Sequence, residues 1–545
     1  LLEKNKKYEC KIVDIGQGGV GIGKHKDFTV FVDSALPGEI VDVKITKSKK
    51  KYAEGVISKI KKESEDRVER VCSMKYRNCG GCQIQELDYQ KQLEIKTNSV
   101  KEDFKRIAGI EDIEVHDTIG MENPFRYRNK AQFPIQRENG KLKIGFYKKK
   151  SHDVIDMDKC VIQHEVNDKI IEILRNFIEK NNISVYDENA NKGLLRHIVT
   201  KIGFTTKEVM VVLVATKSEI PHIEEFLEEL KENIEGFKTL VVNVNDKKTN
   251  VILGRKNKNI YGNGRIIDYI GDLKFEISPL SFFQVNPVQT EVLYNKALEY
   301  ANIGEEDTVF DIYCGIGTIS LFLAQKAKKV YGVEVVEDAI KDARNNAELN
   351  NISNVEFYVG KAEEEVPKLY NQGKKANIVV VDPPRKGCDE KVLETIVDMQ
   401  ADRIVYVSCN PSTLARDLKY LDEKGYRCVK AQPVDMFPHS VHVETVALLS
   451  KLDVNNHIEV EIELNEMDLT SAESKATYTQ IKEYVLEKFG LKVSTLYISQ
   501  IKKKCGIELR EHYNKSKKEK QIIPQCTPEK EEAIMEALRH FKMIE

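Results

Sequence analysis

The 545-residue chain is predicted to be α/β, with a doubly wound parallel sheet over 273–452, a small barrel before it and a mixed α+β region between. Three observations carry this. From about residue 275 to 450, apolar runs alternate with helical stretches, the order that yields a parallel sheet with crossover helices. Asp311, Glu334 and Asp382 each stand at or just beyond one of those runs, where such sheets bind ligands. Residues 1–60 instead alternate in period two between glycines, the pattern of short antiparallel strands.

Composition narrows the class. With 41% hydrophobic and 32% charged residues the chain reads as globular and richly ionised, and 30 Gly with 14 Pro exclude a collagen-like or low-complexity chain. No apolar run is long enough to span a membrane. The start, Leu1-Leu2-Glu3-Lys4, lacks an initiator Met and a signal-peptide layout, so a trimmed N-terminus and a cytoplasmic location are expected. A net charge of −2 confines any basic face to a local patch. Eleven cysteines, an odd number, fit metal-binding or catalytic thiols better than a disulfide framework.

The first segment, 1–60, holds runs such as Thr29-Val30-Phe31-Val32 and Ile40-Val41-Asp42-Val43-Lys44-Ile45, punctuated by Gly16, Gly18, Gly19, Gly21 and Gly23. It carries 12 Lys against 8 Asp+Glu, with Lys47, Lys49, Lys50 and Lys51 in one loop. Charge alone reads as a solvated turn, but a small barrel with a basic loop is a common RNA-binding format.

The second segment, 61–272, opens on Cys72, then Cys79-Gly80-Gly81-Cys82, before a helical stretch over Tyr89–Ile107. The CxxC spacing lets two thiolates reach one centre, and the glycines let the backbone wrap around it. Cys160 is the best-placed fourth ligand, and both zinc and an iron–sulfur cluster accept such a set. Phe125-Arg126-Tyr127-Arg128-Asn129-Lys130 interleaves cations with aromatics, which suits RNA contact.

In the third segment, 273–452, Val309-Phe310-Asp311-Ile312 enters the turn Tyr313-Cys314-Gly315-Ile316-Gly317-Thr318 and then a helix. Gly315 and Gly317 are expected to let a ligand approach the backbone, and Glu334, at the end of the next strand, to bind a ribose diol. The turn lacks the third glycine of a dinucleotide fingerprint and any GK[ST]. Adenosine without a pyrophosphate fits, and S-adenosyl-L-methionine (SAM) is the natural candidate.

The strand Ile378–Val381 ends in Asp382-Pro383-Pro384-Arg385, with Arg385 where amine-directed methyltransferases carry a stacking aromatic. One strand later, Ser408-Cys409-Asn410-Pro411 places Cys409 between a strand end and a helix N-terminus, where the dipole is expected to favour the thiolate. Glu444 begins the last apolar strand. Alone, Cys409 reads as a small buried hydrophobe. With Asp382 and Glu444 around the same sheet, a thiolate and a base beside a SAM pocket point to methylation of uracil C5. Thiolate addition at C6 makes C5 nucleophilic, a base then removes H5, and the thiol is eliminated.

These residues resemble the bacterial RNA (uracil-5-)-methyltransferases, in the branch acting on 23S ribosomal RNA. The resemblance covers about residues 5–450 and rests on CGGCQ at 79–83, SFFQVNP at 281–287, D-x-YCGxGT at 311–318, DPPRKG at 382–387, SCNP at 408–411 and HVET at 442–445. It implies a Rossmann-like SAM-dependent methyltransferase domain behind an RNA-binding TRAM barrel. It further implies a 4Fe-4S cluster on Cys72, Cys79, Cys82 and Cys160, and SAM held by Gln284, Tyr313, Glu334 and Asp382. Cys409 would be the nucleophile and Glu444 the base, with Phe282 stacking on a flipped uracil. The expected partner is 23S ribosomal RNA, with no membrane and no obligate protein partner. The rivals are the same chemistry on transfer RNA, which the barrel and cysteines argue against, and a non-catalytic RNA-binding protein.

Residues 453–545 lie outside the family core. An acidic linker (454–469) is expected, then a helix over Thr479–Lys488 stopped by Gly490 and a second helix capped by Ser494 and stopped by Gly506. Generic helical packing is the preferred reading, and a helix-turn-helix contact module with its local lysines is the alternative.

Overall fold

A computed structural model describes residues 2–16, 18–72, 79–149, 151–452, 478–491, 493, 495–505, 528–541 and 543–544. They belong to two compact units, Leu1–Leu452 and Asp453–Glu545.

Strands β1 (Lys7–Gly16), β2 (Val20–His25), β3 (Phe28–Asp33), β4 (Ile40–Ser48) and β5 (Tyr52–Lys62) close into a barrel in the order β1-β2-β3-β5-β4. The period-two pattern sorts the side chains: Cys10, Ile12, Val30, Val32, Val41, Val43 and Ile45 are wholly buried inside, and lysines cover the outside. Closure leaves no unpaired strand edge. The basic loop is the β4–β5 turn, where Lys49, Lys50 and Lys51 are exposed.

Helix α1 (Tyr89–Asp103) starts at Asp88, whose carboxylate accepts the amides of Gln90 and Lys91. The single helix expected to Ile107 instead changes to a π-helical turn over Phe104–Ala108, ended by Gly109 at φ 72°. A short strand, β6 (Glu114–Val115), follows.

Next come β7 (Lys130–Glu138), β8 (Lys141–Tyr147), β9 (Val154–Asp156), α2 (Val166–Lys180), β10 (Leu195–Ile202), β11 (Val209–Ala215), α3 (Ile223–Asn233), β12 (Phe237–Val244) and β13 (Lys256–Tyr261). They build a seven-stranded sheet, β13-β12-β11-β10-β7-β8-β9. Every residue of β10 and β11 is buried, which explains the unbroken apolar run Val209–Val214. Helices α2 and α3 cover one face. The other face packs Val199, Met210, Val212 and Val214 into the core of the next layer, beside the hairpin β14 (Ile266–Ile270) and β15 (Leu273–Ile277).

The third layer runs α4 (Pro287–Ala301), β16 (Thr308–Ile312), α5 (Thr318–Ala324), β17 (Lys329–Glu334), α6 (Glu337–Leu349), β18 (Val355–Val359), α7 (Ala362–Asn371), β19 (Ile378–Val381), α8 (Glu390–Met399), β20 (Arg403–Ser408), α9 (Pro411–Glu423), β21 (Tyr426–Val434) and β22 (Glu444–Lys451). The sheet order is β18-β17-β16-β19-β20-β22-β21-β6. Strands β16 to β20 are parallel as expected, whereas β22 runs antiparallel between β20 and β21. The strand order reverses between β16 and β19, which opens the ligand crevice at their carboxyl ends. Helices α4, α5 and α6 pack on one face of this sheet and α7, α8 and α9 on the other. Val100, Phe104 and Ala108 join the second face, and β6 pairs with β21, so residues 89–115 flank this sheet although they precede the central one in sequence.

In the second unit, α10 (Tyr478–Phe489), α11 (Thr495–Lys504) and α12 (Pro528–His540) share a small core of Ile481, Val485, Ile498, Ile501, Ile534 and Leu538. Gly490 ends α10 at φ 65°, as its position predicts. The expected linker, the cap at Ser494 and the stop at Gly506 lie outside the described residues. Lys502 is buried and Lys504 pairs with Glu531, so part of the expected basic face is used within the bundle. No described helix is long and apolar enough to cross a membrane.

Candidate active site

A cavity of about 710 Å³ opens at the strand reversal and is lined by Gln284, Tyr313, Glu334, Asp382, Cys409 and Glu444, among others. All six residues predicted for cofactor binding and catalysis therefore meet in one place.

Its inner end is the turn after β16. Tyr313 takes φ 71° and Gly315 φ 55°, and a Cβ built on Gly315 would have no atom within 4 Å. That glycine leaves room for a ligand against the backbone. Gly317 does not share this role, contrary to the sequence expectation. A Cβ there would stand 2.9 Å from the Phe357 ring and 3.2 Å from Ala343, so this glycine serves close helix packing. Glu334 is fixed by two amides: Oε2 accepts from Gly315 at 3.2 Å and Oε1 from Val336 at 2.9 Å. The carboxylate thus sits at the lip of the cradle, where a ribose diol would lie.

The loop carrying Gln284 is held from behind. Lys201, buried, donates to the carbonyls of Ser278 and Ser281, both at 2.7 Å. Asp342 accepts from both serine hydroxyls, and Asn129 donates to the Gln284 carbonyl at 2.9 Å. The Gln284 side chain keeps its amide free among the described residues, and Phe282 stands 64% exposed at the loop's tip. The open glycine cradle, the fixed Glu334 and the free Gln284 amide fit SAM.

Cys409 and Glu444 are joined by strand register. Ser408 pairs with Thr445 across β20 and β22, so the residue after the one strand and the first of the other lie side by side. Asn410 caps α9 by accepting the Ser412 amide at 3.1 Å, which pins the turn bearing Cys409. Burial raises Glu444 to about 8; Asp382 adds repulsion and Arg385 opposes it. Asp382 is raised to about 7 by burial and then by Asp311.

The expected preference of Cys409 for thiolate is opposed by its surroundings. Burial, then the Glu444 and Asp382 carboxylates, push its thiol up to about 11, and Arg385 with the local backbone only partly offsets this. These surroundings favour the thiol over the thiolate.

The loop between β21 and β22 is clamped by a buried network that the sequence did not reveal. Lys96 Nζ donates to Asp435 Oδ1 at 2.5 Å and to the Phe437 carbonyl at 3.1 Å, and Tyr89 donates to Asp435 Oδ2 at 2.9 Å. Gln92 accepts the His439 amide at 3.0 Å, which supports His439 at φ 67°. Lys96 and Asp435 are fully buried, and losing one partner of such a pair costs about 3–5 kcal/mol.

The segment 125–130, expected to contact RNA, also acts as a clamp. Arg126 donates to the carbonyls of Cys160 and Gln163 and to Asp168. Phe125 stacks on His439 with centroids 4.6 Å apart, and buried Tyr127 donates to the Pro438 carbonyl at 3.2 Å.

The four cysteines expected to bind metal lie in one cluster: Cys72, Cys82 and Cys160 are buried and Cys79 packs against them. All are free thiols. Burial pushes Cys82 to about 12, with Cys160, Cys79 and Cys72 each contributing repulsion. The Gly81 amide bonds the Cys79 sulfur, and those of Ile162 and Gln163 bond the Cys160 sulfur, all favouring thiolate. Among the described residues no three His, Cys, Asp or Glu side chains are close enough to hold one metal ion.

The sequence profile described as tRNA (Uracil-5-)-methyltransferase matches residues 88–452, and that of the TRAM domain matches residues 2–57. A Clostridium tetani protein described as an uncharacterized RNA methyltransferase is 53% identical over 449 residues, covering 82% of this chain and 97% of its own. A Bacillus cereus protein with the same description is 50% identical, covering 83% and 98%. Among solved structures, the Pyrococcus abyssi tRNA (uracil-54, C5)-methyltransferase in complex with S-adenosyl-L-homocysteine aligns with a TM-score of 0.65 and 31% identity. That match covers 81% of this chain and 100% of the other.

Proposed function

The chain belongs to the tRNA (uracil-5-)-methyltransferase family of SAM-dependent RNA methyltransferases, and from that premise we propose that it forms 5-methyluridine in 23S ribosomal RNA. The observation that carries the chemistry is the pairing of Cys409 with Glu444 at the mouth of the cavity that Asp382, Glu334 and Gln284 line. Bound SAM supplies an electrophilic methyl group. Gln284, Tyr313, Glu334 and Asp382 hold it, with Gly315 leaving the space. Cys409 gives up its proton to water and adds through its sulfur to uracil C6, which makes C5 the attacking carbon. After the methyl group reaches C5, leaving S-adenosyl-L-homocysteine, the Glu444 carboxylate takes H5 and the Cys409–C6 bond breaks, restoring the ring and a thiolate that regains its proton from water. Raised carboxyl pKa values suit groups that exchange protons near neutral pH.

Four converging thiols and the lysine-bearing barrel support the ribosomal target, through the resemblance to that branch. A second reading, a transfer-RNA uridine, is favoured by the Pyrococcus abyssi enzyme, whose whole chain aligns to most of this one. Such breadth lowers the weight of the barrel and cysteines as a discriminator. Purified protein given methyl-tritiated SAM and unmodified 23S and transfer-RNA transcripts is expected to place 5-methyluridine in the 23S transcript. Label confined to transfer RNA would reverse the substrate assignment and keep the chemistry.

Cys72, Cys79, Cys82 and Cys160 are assigned to a 4Fe-4S cluster with a structural role. The anaerobically purified chain is expected to carry iron and acid-labile sulfide in equal amounts with broad visible absorbance, and Cys82→Ser to lose both. Zinc in place of iron would refute the assignment.

A further inference from the structure

A second cavity of about 360 Å³ lies on the other side of Cys409. Cys409, His442 and Arg385 line both cavities, so the nucleophile stands on the wall between them. One side of the second cavity is the β1–β2 hairpin of the barrel. Gly18 there takes φ 75°, and a Cβ on it would meet nothing within 4 Å. The opposite side is α1, through Ile95, Ser99 and Asp103, and Pro411 with Val443 add apolar surface.

We infer that this cavity receives the base of a nucleotide directly adjoining the target uridine, and that it favours a base with an exocyclic amine. The inference rests on the uridine chemistry proposed above. A uracil whose C6 faces Cys409 fills the first cavity, and its neighbour along the strand must leave past the Cys409 wall. Arg385 stands on that wall, and its guanidinium makes no hydrogen bond or ion pair among the described residues. It is therefore available to the phosphate linking the two nucleotides. Beyond it, Ile15, Ile95, Pro411 and Val443 give the cavity an apolar part beside its polar lining, and His442 gives a ring on which an unstacked base packs. Asp103 sets the preference. Its Oδ2 accepts the Ser412 hydroxyl at 2.6 Å, while Oδ1 accepts no hydrogen bond among the described residues. A free carboxylate oxygen takes an exocyclic amine hydrogen and disfavours a carbonyl oxygen in the amine's place, as O4 of uracil stands where cytosine has N4.

The test uses the full chain and a short synthetic RNA centred on the uridine that the wild type labels, with versions lacking the base on either side of it. Removing the seated base is expected to lower wild-type kcat/KM about tenfold or more. Ser99→Phe, which fills the cavity from the exposed face of α1, is expected to lose as much on intact RNA and nothing further on that abasic RNA. Asp103→Asn should lose the preference against uracil at that neighbour. Unchanged S-adenosyl-L-homocysteine affinity and melting temperature would show that Ser99→Phe is folded. Full activity of Ser99→Phe on intact RNA, or wild-type indifference to both neighbouring bases, would overturn the inference while leaving the uridine chemistry standing. Failure of the wild type to label any RNA would instead remove the proposed function and the inference with it.

Discussion

Cys409→Ala is expected to bring methyl transfer to background while S-adenosyl-L-homocysteine binds with the wild-type Kd. The thiol lies at the mouth of the cavity, whereas the groups placed for the cofactor are Glu334 in its amide clamp, Gln284 and the open Gly315 turn. Without a sulfur to add at C6, C5 of uracil stays too weak a nucleophile to attack a methyl group. Cys409→Ser should fare little better, because an alkoxide in the company of Glu444 and Asp382 is harder to form than the thiolate. Methylation and calorimetric binding on the same preparations separate the two properties. Turnover retained by the alanine variant would refute the nucleophilic role.

Glu444→Gln is expected to stop the reaction after methyl transfer, with the RNA left attached to the protein. The glutamine can occupy the same space but takes no proton, so H5 stays and the thiol cannot leave. The same substitution changes stability in a pH-dependent way. Because the folded pKa, about 8, lies above the ordinary 4.5, the stability associated with protonating Glu444 is fully present below 4.5 and is lost as pH rises through 8. Each pH unit within that window costs the wild type at most about 1.4 kcal/mol. Glutamine does not titrate, so the variant should melt higher than wild type near pH 8, and the gap should close toward pH 4.5. In the wild type, elimination needs the Glu444 carboxylate, so its rate should climb as pH rises toward 8.

The parts of this site that were legible in the sequence are those written in short stretches of chain. The strand, glycine turn and helix around 309–324 follow from an apolar run meeting glycines, and Cys409 and Glu444 stand at strand ends that the alternation of elements locates. What was not legible depends on residues far apart. Cys409 lies beyond one strand, and its thiol is favoured by burial and then by carboxylates that follow or begin two others, a balance that a helix N-terminus alone does not predict. Lys96 and Asp435 are 339 positions apart, and nothing local marks either as half of a buried pair. The signal available was modest: a lysine at a buried position of α1. Segment 125–130 has the composition of an RNA contact, yet Arg126 and the two aromatics find partners in the Cys160–Asp168 stretch and the 437–439 loop. The two glycines of the 315–317 turn look alike in sequence and differ only in what faces them.

The central claim is that a covalent bond between Cys409 and uracil C6 carries the methyl transfer. Its most direct test is the mass of the product that Glu444→Gln forms with RNA and SAM, after nuclease and protease digestion. The expected species is the peptide containing Cys409 joined to a uridine that has already gained the methyl group. Release of free 5-methyluridine at the wild-type rate, with that peptide unmodified, would contradict it.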